Sequence, residues 1–408
     1  MDEHYDVVIV GAGPGGSAAA WYLARHGLQV LLLDKADFPR DKTCGDGLSP
    51  RALAVLDDMG LLENLLHVGC RINGVEIYAP DGRSIAAPVP SGNGRPPYML
   101  VLPRLTLDDT LRRYAVAQGA LFVSGAHVTD VQTEGNVARV QVENAGRAQV
   151  YTCCIAVIAT GASVRLLQNA GILTETPAMM MAARAYYDGI DVMSDRIQLR
   201  FDGVRLPGYA WVFPGGRRTA NVGAGYFAKD KRQRDRWTSP QDAVRTFVEK
   251  SQLKDVLGQA ERVSSVKGYP LRVDFTTAPT FNGRVLLVGE AAGLVNPLSG
   301  EGVDYALESA RVAAEHIVEM FERSDFSQSA FEAYDRELRE RFQALFKFCS
   351  RARDLFINRT ALNLLVAIAA HRKDLKLLLI RIVLGDQTVP QRITAGMVVR
   401  TLFTRASG

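Results

Sequence analysis

The sequence predicts an α/β protein with three parts. A nucleotide-binding domain is built on a parallel sheet with a small antiparallel meander, a second domain is an antiparallel sheet, and a helical segment ends the chain. Three observations predict this. The first 34 residues run strand, glycine turn, helix, strand, the order of a parallel βαβ unit. Residues 71–275 hold many short apolar and aromatic runs broken by turn signals. Residues 328–384 carry helical patterning. The expected first domain joins residues 1–70, 98–165 and 276–325, the second joins 71–97 and 166–275, and the helical, basic segment covers 326–408.

Tyr5–Val10 is a mostly apolar run of the kind buried on both faces of a parallel sheet. GAGPGG follows, with Gly11 suited to a tight turn, Gly13 to close approach of a pyrophosphate, and Gly16 to helix–strand packing. The helix from Ser17 to Arg25 offers its N-terminal N–H groups to that pyrophosphate. Gln29–Leu33 ends on Asp34, which can take ribose hydroxyls and argues against a 2′-phosphate. The ligand is therefore NAD-like or FAD-like.

Gly283–His316 decides between them. An apolar strand (Arg284–Val288) turns at Gly289-Glu290-Ala291-Ala292-Gly293, crosses a loop with Pro297, Gly300 and Gly302, and enters a helix at Val303. A second strand–loop–helix suits a ribityl chain and a flat ring, which NAD lacks. Glu290 can hold a ribityl hydroxyl, and the Gly300-Glu301-Gly302 backbone can stabilise negative charge on the ring. The expected cofactor is FAD. Lys35, Arg40, Cys44, Gly45, Arg104, Val128, Thr160 and Gly161 complete its expected contacts. Of these, Arg104 starts the helical run Leu102–Gln118 and Thr160-Gly161 ends the strand Gln149–Thr160.

The remaining elements are ordinary. Pro50–Met59 reads as a helix, and Ile72–Ala79 with Ser84–Val89 as a hairpin around Asp81-Gly82. His127–Gln132 and Val137–Val142 turn at Gly135-Asn136 in the meander. In the second domain, Met179–Tyr187, Arg196–Phe201, Tyr209–Phe213, Thr219–Phe227 and Val263–Val273 read as strands. Ser239 and Asp242 open a helix at Pro240–Lys250 as a variant capping box. The methionines and aromatics of this sheet read as core, or as the wall of an apolar pocket.

With 408 residues, 47% of them hydrophobic and 23% charged, the chain is globular and large enough for two or three lobes. Its five cysteines, Cys44, Cys70, Cys153, Cys154 and Cys349, form neither a disulfide framework nor a zinc pattern, so no metal is expected. There is no signal-peptide pattern at the start, and no apolar run reaches the roughly 20 residues of a membrane span. A cytoplasmic protein is expected. Residues 341–408 hold 12 Lys and Arg against 3 Asp and Glu. Arg351, Arg353, Arg372, Lys373, Lys376 and Arg381 surround the apolar run Leu362–Ala370. This is either a solvated face on packed helices or a peripheral contact with anionic lipid at the inner face of the cell membrane. Nucleic acid is not an expected partner.

Four stretches together resemble the geranylgeranyl reductase family of FAD proteins, within the larger group similar to p-hydroxybenzoate hydroxylase. They are GAGPGGSAAA (11–20), FPRDKTCGDGLSPRAL (38–53), PGYAWVFP (207–214) with NVGAG (221–225), and VGEAAGLVNPLSGEGVDYALESARVAAE (288–315). The continuation DYALES looks closest to the branch that reduces an isoprenoid tail of menaquinone. The resemblance implies a Rossmann-type FAD-binding domain, a substrate domain, and reduction of C=C bonds in a prenyl lipid or prenylquinone. It implies that Cys44 lies near the flavin, that Tyr209, Trp211 and Phe213 line a prenyl tunnel, and that Pro297, Gly300 and Gly302 pack on the ring. Cys44, Tyr209 and Trp211 are the expected catalytic residues, with Cys44 and Tyr209 the candidate proton donors. Two positions depart from the wider group. Glu290 replaces an aspartate, and Thr160 replaces an aspartate that serves the NADPH encounter in hydroxylases. The external reductant (NADPH, NADH or ferredoxin, the last an electron-donor protein) is left open. The competing reading is a flavin-dependent monooxygenase or halogenase acting on an apolar or aromatic natural product. The halogenase lysine motif is absent. A non-catalytic flavin or lipid carrier is a third reading.

Overall fold

A computed structural model describes residues 3–386, apart from residue 93, residues 191–193 and 228–238, and most of 251–259. The basic residues beyond 386 lie outside the described residues. The first sheet has a parallel spine in which Glu3–Val10 pairs with both Val30–Leu33 and Arg147–Ile158. Leu121–Val123 and Val285–Leu287 extend it in parallel. His127–Glu134 and Val137–Asn144 form the antiparallel meander on the long strand Arg147–Ile158. Val7–Val10, Val30–Leu33 and Val285–Leu287 are apolar and buried, as in the interior of a parallel sheet.

Pro14–Arg25 and Val303–Arg323 pack on this sheet and on each other. Their contact requires small residues. A Cβ on Gly15 would stand 3.3 Å from the Ala306 carbonyl oxygen, and one on Gly289, in the turn before the second helix, 2.8 Å from the Ala306 Cβ. Gln328–Phe356 braces the assembly from outside: buried Tyr334 donates its hydroxyl to the Leu287 carbonyl at 2.7 Å.

The second sheet is antiparallel as expected, except for one pair. Arg196–Arg200 lies parallel to Gly74–Tyr78. A parallel neighbour needs a long crossover, and here the intervening chain supplies one by building part of the first domain. Of the run read as one strand, Val263–Val273, only Lys267–Arg272 is strand; Glu261–Arg262 forms a separate short strand just before the run, and both pair with Met179–Asp188. The physical reason is Ser264, whose hydroxyl takes the Tyr186 N–H at 2.8 Å and replaces a ladder bond. A three-stranded sheet of Gly47–Leu48, Met99–Val101 and Cys70–Ile72 was not expected. Its strands are too short to carry a period.

The helices Arg359–Ala369 and Lys373–Val383 pack against the outer strand Ser84–Pro88. Of the basic residues expected to form one open face there, Arg353 is buried. It donates to the Pro297 carbonyl at 3.5 Å and stacks on Phe227 at 3.6 Å.

Removing the Tyr334 hydroxyl leaves a buried carbonyl unpaired. Tyr334→Phe is expected to lower unfolding stability by about 1–3 kcal/mol, read as a lower midpoint in denaturant with an unchanged slope.

Candidate active site

One cavity of about 630 Å³ runs between the two sheets, within the size range of cofactor and ligand sites. Of the expected nucleotide residues, Gly11, Gly13, Asp34, Lys35 and Arg40 line one end. Gly16 does not line it, because it is consumed in the helix–turn contact. Gly13 caps Pro14–Arg25 without any side-chain hydrogen bond, so the first N–H groups of that helix are open to a ligand. Asp34 accepts from Ala12 N at 2.7 Å and Ala36 N at 2.9 Å, which fixes its carboxylate while leaving lone pairs for hydroxyls. Arg40 and Arg104 both pair with the fully buried Asp108, at 2.9 Å and 2.6 Å.

The middle of the cavity is lined by Val128, Thr160, Gly161, Gly289 and Glu290. The Thr160 hydroxyl oxygen is shielded and has no partner among the described residues. Glu290 accepts from Arg272 N at 3.1 Å and lies 3.4 Å from Lys42 Nζ, which also sits over the Tyr269 ring. The far end carries Gly300, Glu301, Gly302 and Val303, and the second open helix N-terminus, capped by Gly302 without a side-chain bond. Pro297 does not line the cavity; it is buried beneath Arg353. Two unfilled helix N-termini, an orphaned hydroxyl and glycine-lined approaches fit a dinucleotide with a second ring system.

The other wall is the aromatic row of Gly208–Pro214. Tyr209, Trp211 and Phe213 alternate along the strand and so share one face. Their ring centroids are 5.9 and 6.4 Å apart. Gly223 stands opposite Trp211, and a Cβ there would meet the indole at 2.0 Å, so this glycine makes room for the ring. Tyr209 donates its hydroxyl to the Ser299 carbonyl. The turn carrying Cys44 and Gly45 lies against Trp211 and Phe213.

That turn is held by groups the sequence did not single out. Asn221 donates to the Cys44 carbonyl at 2.7 Å and to Asp46 at 2.8 Å, and accepts from Trp211 Nε1 at 3.0 Å. Tyr186 donates to the same Asp46 oxygen at 2.6 Å. Asp46 itself has a left-handed backbone, φ 66°. Burial raises its carboxyl above the usual range, although Tyr186 and Asn221 oppose this. A lone asparagine in the otherwise apolar run Ala220–Phe227 is the signal that could have found Asn221. Burial also pushes the Cys44 thiol up, with the Arg104 guanidinium opposing.

Fold and site together define an FAD-binding flavoprotein. Residues 4–349 match the model of the FAD binding domain family. The chain is 36% identical over 325 residues to a menaquinone reductase of Mycobacterium tuberculosis, covering 77% of each chain. It is 31% identical over 399 residues to digeranylgeranylglycerophospholipid reductase 2 of Methanopyrus kandleri, covering 94% of each. Among solved structures it is similar to a geranylgeranyl bacteriochlorophyll reductase-like protein of Thermoplasma acidophilum, at a TM-score of 0.81 and 22% identity over 99% of this chain and 100% of that one. A flavin-dependent brominase shares the fold at a TM-score of 0.78 and 22% identity, over 98% of both chains. The chain belongs to the FAD binding domain family and, within it, to the geranylgeranyl reductase group of FAD-dependent oxidoreductases.

Two outcomes are expected. Asn221→Leu leaves Asp46 and Trp211 short of partners and should cost about 1–3 kcal/mol, with a change in Trp211 fluorescence. Cys44 in the folded protein should resist iodoacetamide at pH 8, where unfolded protein reacts, because the raised pKa keeps it a thiol. Peptide mapping after alkylation reads this out.

Proposed function

We propose that this protein saturates C=C bonds in the isoprenoid chain of a prenylquinone or related prenyl lipid. The observation that carries this reading is the row Tyr209, Trp211 and Phe213, set across the cavity from the nucleotide end and continued by apolar residues such as Met180, Ile197 and Leu271. The names of the most similar relatives support it. FAD, when bound and reduced, supplies the hydride.

An isolated trisubstituted alkene has no carbonyl to take up electrons. Its reduction needs a proton at the less substituted carbon while hydride reaches the incipient tertiary cation. The chain must therefore hold the alkene still, exclude water and stabilise positive charge. The aromatic faces do the last of these. Asn221 acts through Trp211 and the Cys44 turn, holding both in place. Gly13 and the N–H groups after it take the pyrophosphate, Asp34 the ribose, and Glu290 with Thr160 the ribityl region.

The substrate enters from lipid. Val383 and Leu384 line the cavity from inside, while Leu355 and Leu364 are exposed on the neighbouring helices. Arg351, Arg359 and Lys373 are exposed beside them. No helix of the described residues is long and apolar enough to cross a membrane. The contact proposed is peripheral, on an anionic leaflet.

Photoreduced enzyme mixed anaerobically with a polyprenyl quinone should reoxidise and, once any hydroquinone has been air-oxidised back to quinone, yield a quinone two mass units heavier for each bond saturated in its tail. Reoxidation without a mass change would overturn the reading. The protein should also float with vesicles containing anionic lipid and not with zwitterionic ones. Leu364→Asp with Lys373→Glu should weaken flotation while leaving turnover of a detergent-dispersed substrate intact.

A further inference from the structure

The proton needs a source, and the protic side chains of the cavity wall include Cys44, Tyr209 and Glu301 beside the aromatic row. They lie within electrostatic reach of one another, since the Tyr209 hydroxyl feels both of the others. Tyr209 is committed, because its O–H is donated to the Ser299 carbonyl. Cys44 starts from a thiol's weak acidity and is weakened further by burial. Glu301 differs. Its Oε2 is shielded from solvent and has no hydrogen-bond partner among the described residues.

Its neighbours explain how a carboxyl survives there. Asp304, one turn on, is buried and has the ion-pairing partner. Arg51 lies 3.8 Å from it and Ser49 donates to it at 3.2 Å. Arg51 is held in turn by Glu308 at 2.7 Å and the Gly385 carbonyl at 2.7 Å. Two carboxylates this close in a dry site do not both ionise. Burial raises both carboxyls, but Arg51 opposes this most at Asp304, which it approaches within 3.8 Å, so Glu301 is the one of the pair that holds the proton. Burial first, and the Asp304 charge second, hold Glu301 well above the usual carboxyl range.

We propose that Glu301 is the catalytic acid that delivers the proton to the alkene carbon, an assignment that rests on the reductase reading above. The alkene π pair forms the bond to the Glu301 proton. The hydride brings the electron pair of the second C–H bond, and the reduced flavin is thereby oxidised by two electrons. Glu301 is left as a carboxylate and recovers its proton from water after product leaves. Of the three candidate donors it is intrinsically the strongest acid, and the same dry wall burdens all three.

The test is single-turnover reduction of a polyprenyl quinone by photoreduced enzyme across pH, followed as the mass gained by the tail after air oxidation has returned the head group to quinone. Groups facing Glu301 that also titrate or carry charge are Asp304, Arg51, Tyr305, Tyr209 and Cys349. Wild-type enzyme should slow as pH rises through the Glu301 ionisation. Glu301→Gln should be about 100-fold slower or more, lose that pH limb, and retain FAD content and photoreduction. Glu301→Asp, which withdraws the acid by one methylene, should be about tenfold slower than wild type, with a displaced midpoint. A glutamine variant within roughly threefold of wild type, with the same pH profile, overturns the inference alone. If that variant loses FAD, an aspartate variant of unchanged rate and midpoint overturns it. Wild-type enzyme that reduces no prenyl lipid overturns the reductase reading and this inference with it.

Discussion

Two helix N-termini have to open into one cavity, and the rest of the molecule accommodates that demand. Pro14–Arg25 and Val303–Arg323 lie close enough that Gly15 meets the Ala306 backbone and Gly289 meets its Cβ. The Gly289 N–H is taken by the Ser309 hydroxyl at 2.9 Å, which secures the turn against the second helix. Larger residues at these points would separate the helices and divide the site. The convergence places two partial positive charges along one cavity. A ligand with negative charge at two separate places, a pyrophosphate and a reduced ring, is matched by that arrangement.

The second domain is joined to this frame by polar groups. Arg272 is fully buried and reaches from the substrate sheet to Asp274 at 2.8 Å and to the Ala291 carbonyl. Asn221 ties the aromatic strand to the Cys44 turn. Buried polar groups that are satisfied by one geometry penalise every other, so these contacts set how the aromatic wall faces the cofactor end. The same economy operates around Glu301, where Arg51 serves Asp304 and Glu308 and no cation among the described residues forms an ion pair with Glu301.

Much of this was legible. The glycine turn after the first strand, the hairpin at Asp81-Gly82, and the long helix after Val303 rest on local chemistry, and each is where the residues placed it. The cavity-lining nucleotide residues were legible for the same reason, apart from Gly16 and Pro297, which serve packing. Asp46, Arg51 and Asp304 were not singled out. Their importance lies in partners up to hundreds of residues away, as with Arg51 and Gly385.

By itself, the sequence determined the βαβ unit, the flavin-type second loop and the aromatic strand, because turn, period and glycine spacing act over a few residues. Only the tertiary structure decided which carboxyl has a guanidinium beside it and which is left without one. That choice depends on where a single buried guanidinium ends, and on how much water the packed walls exclude.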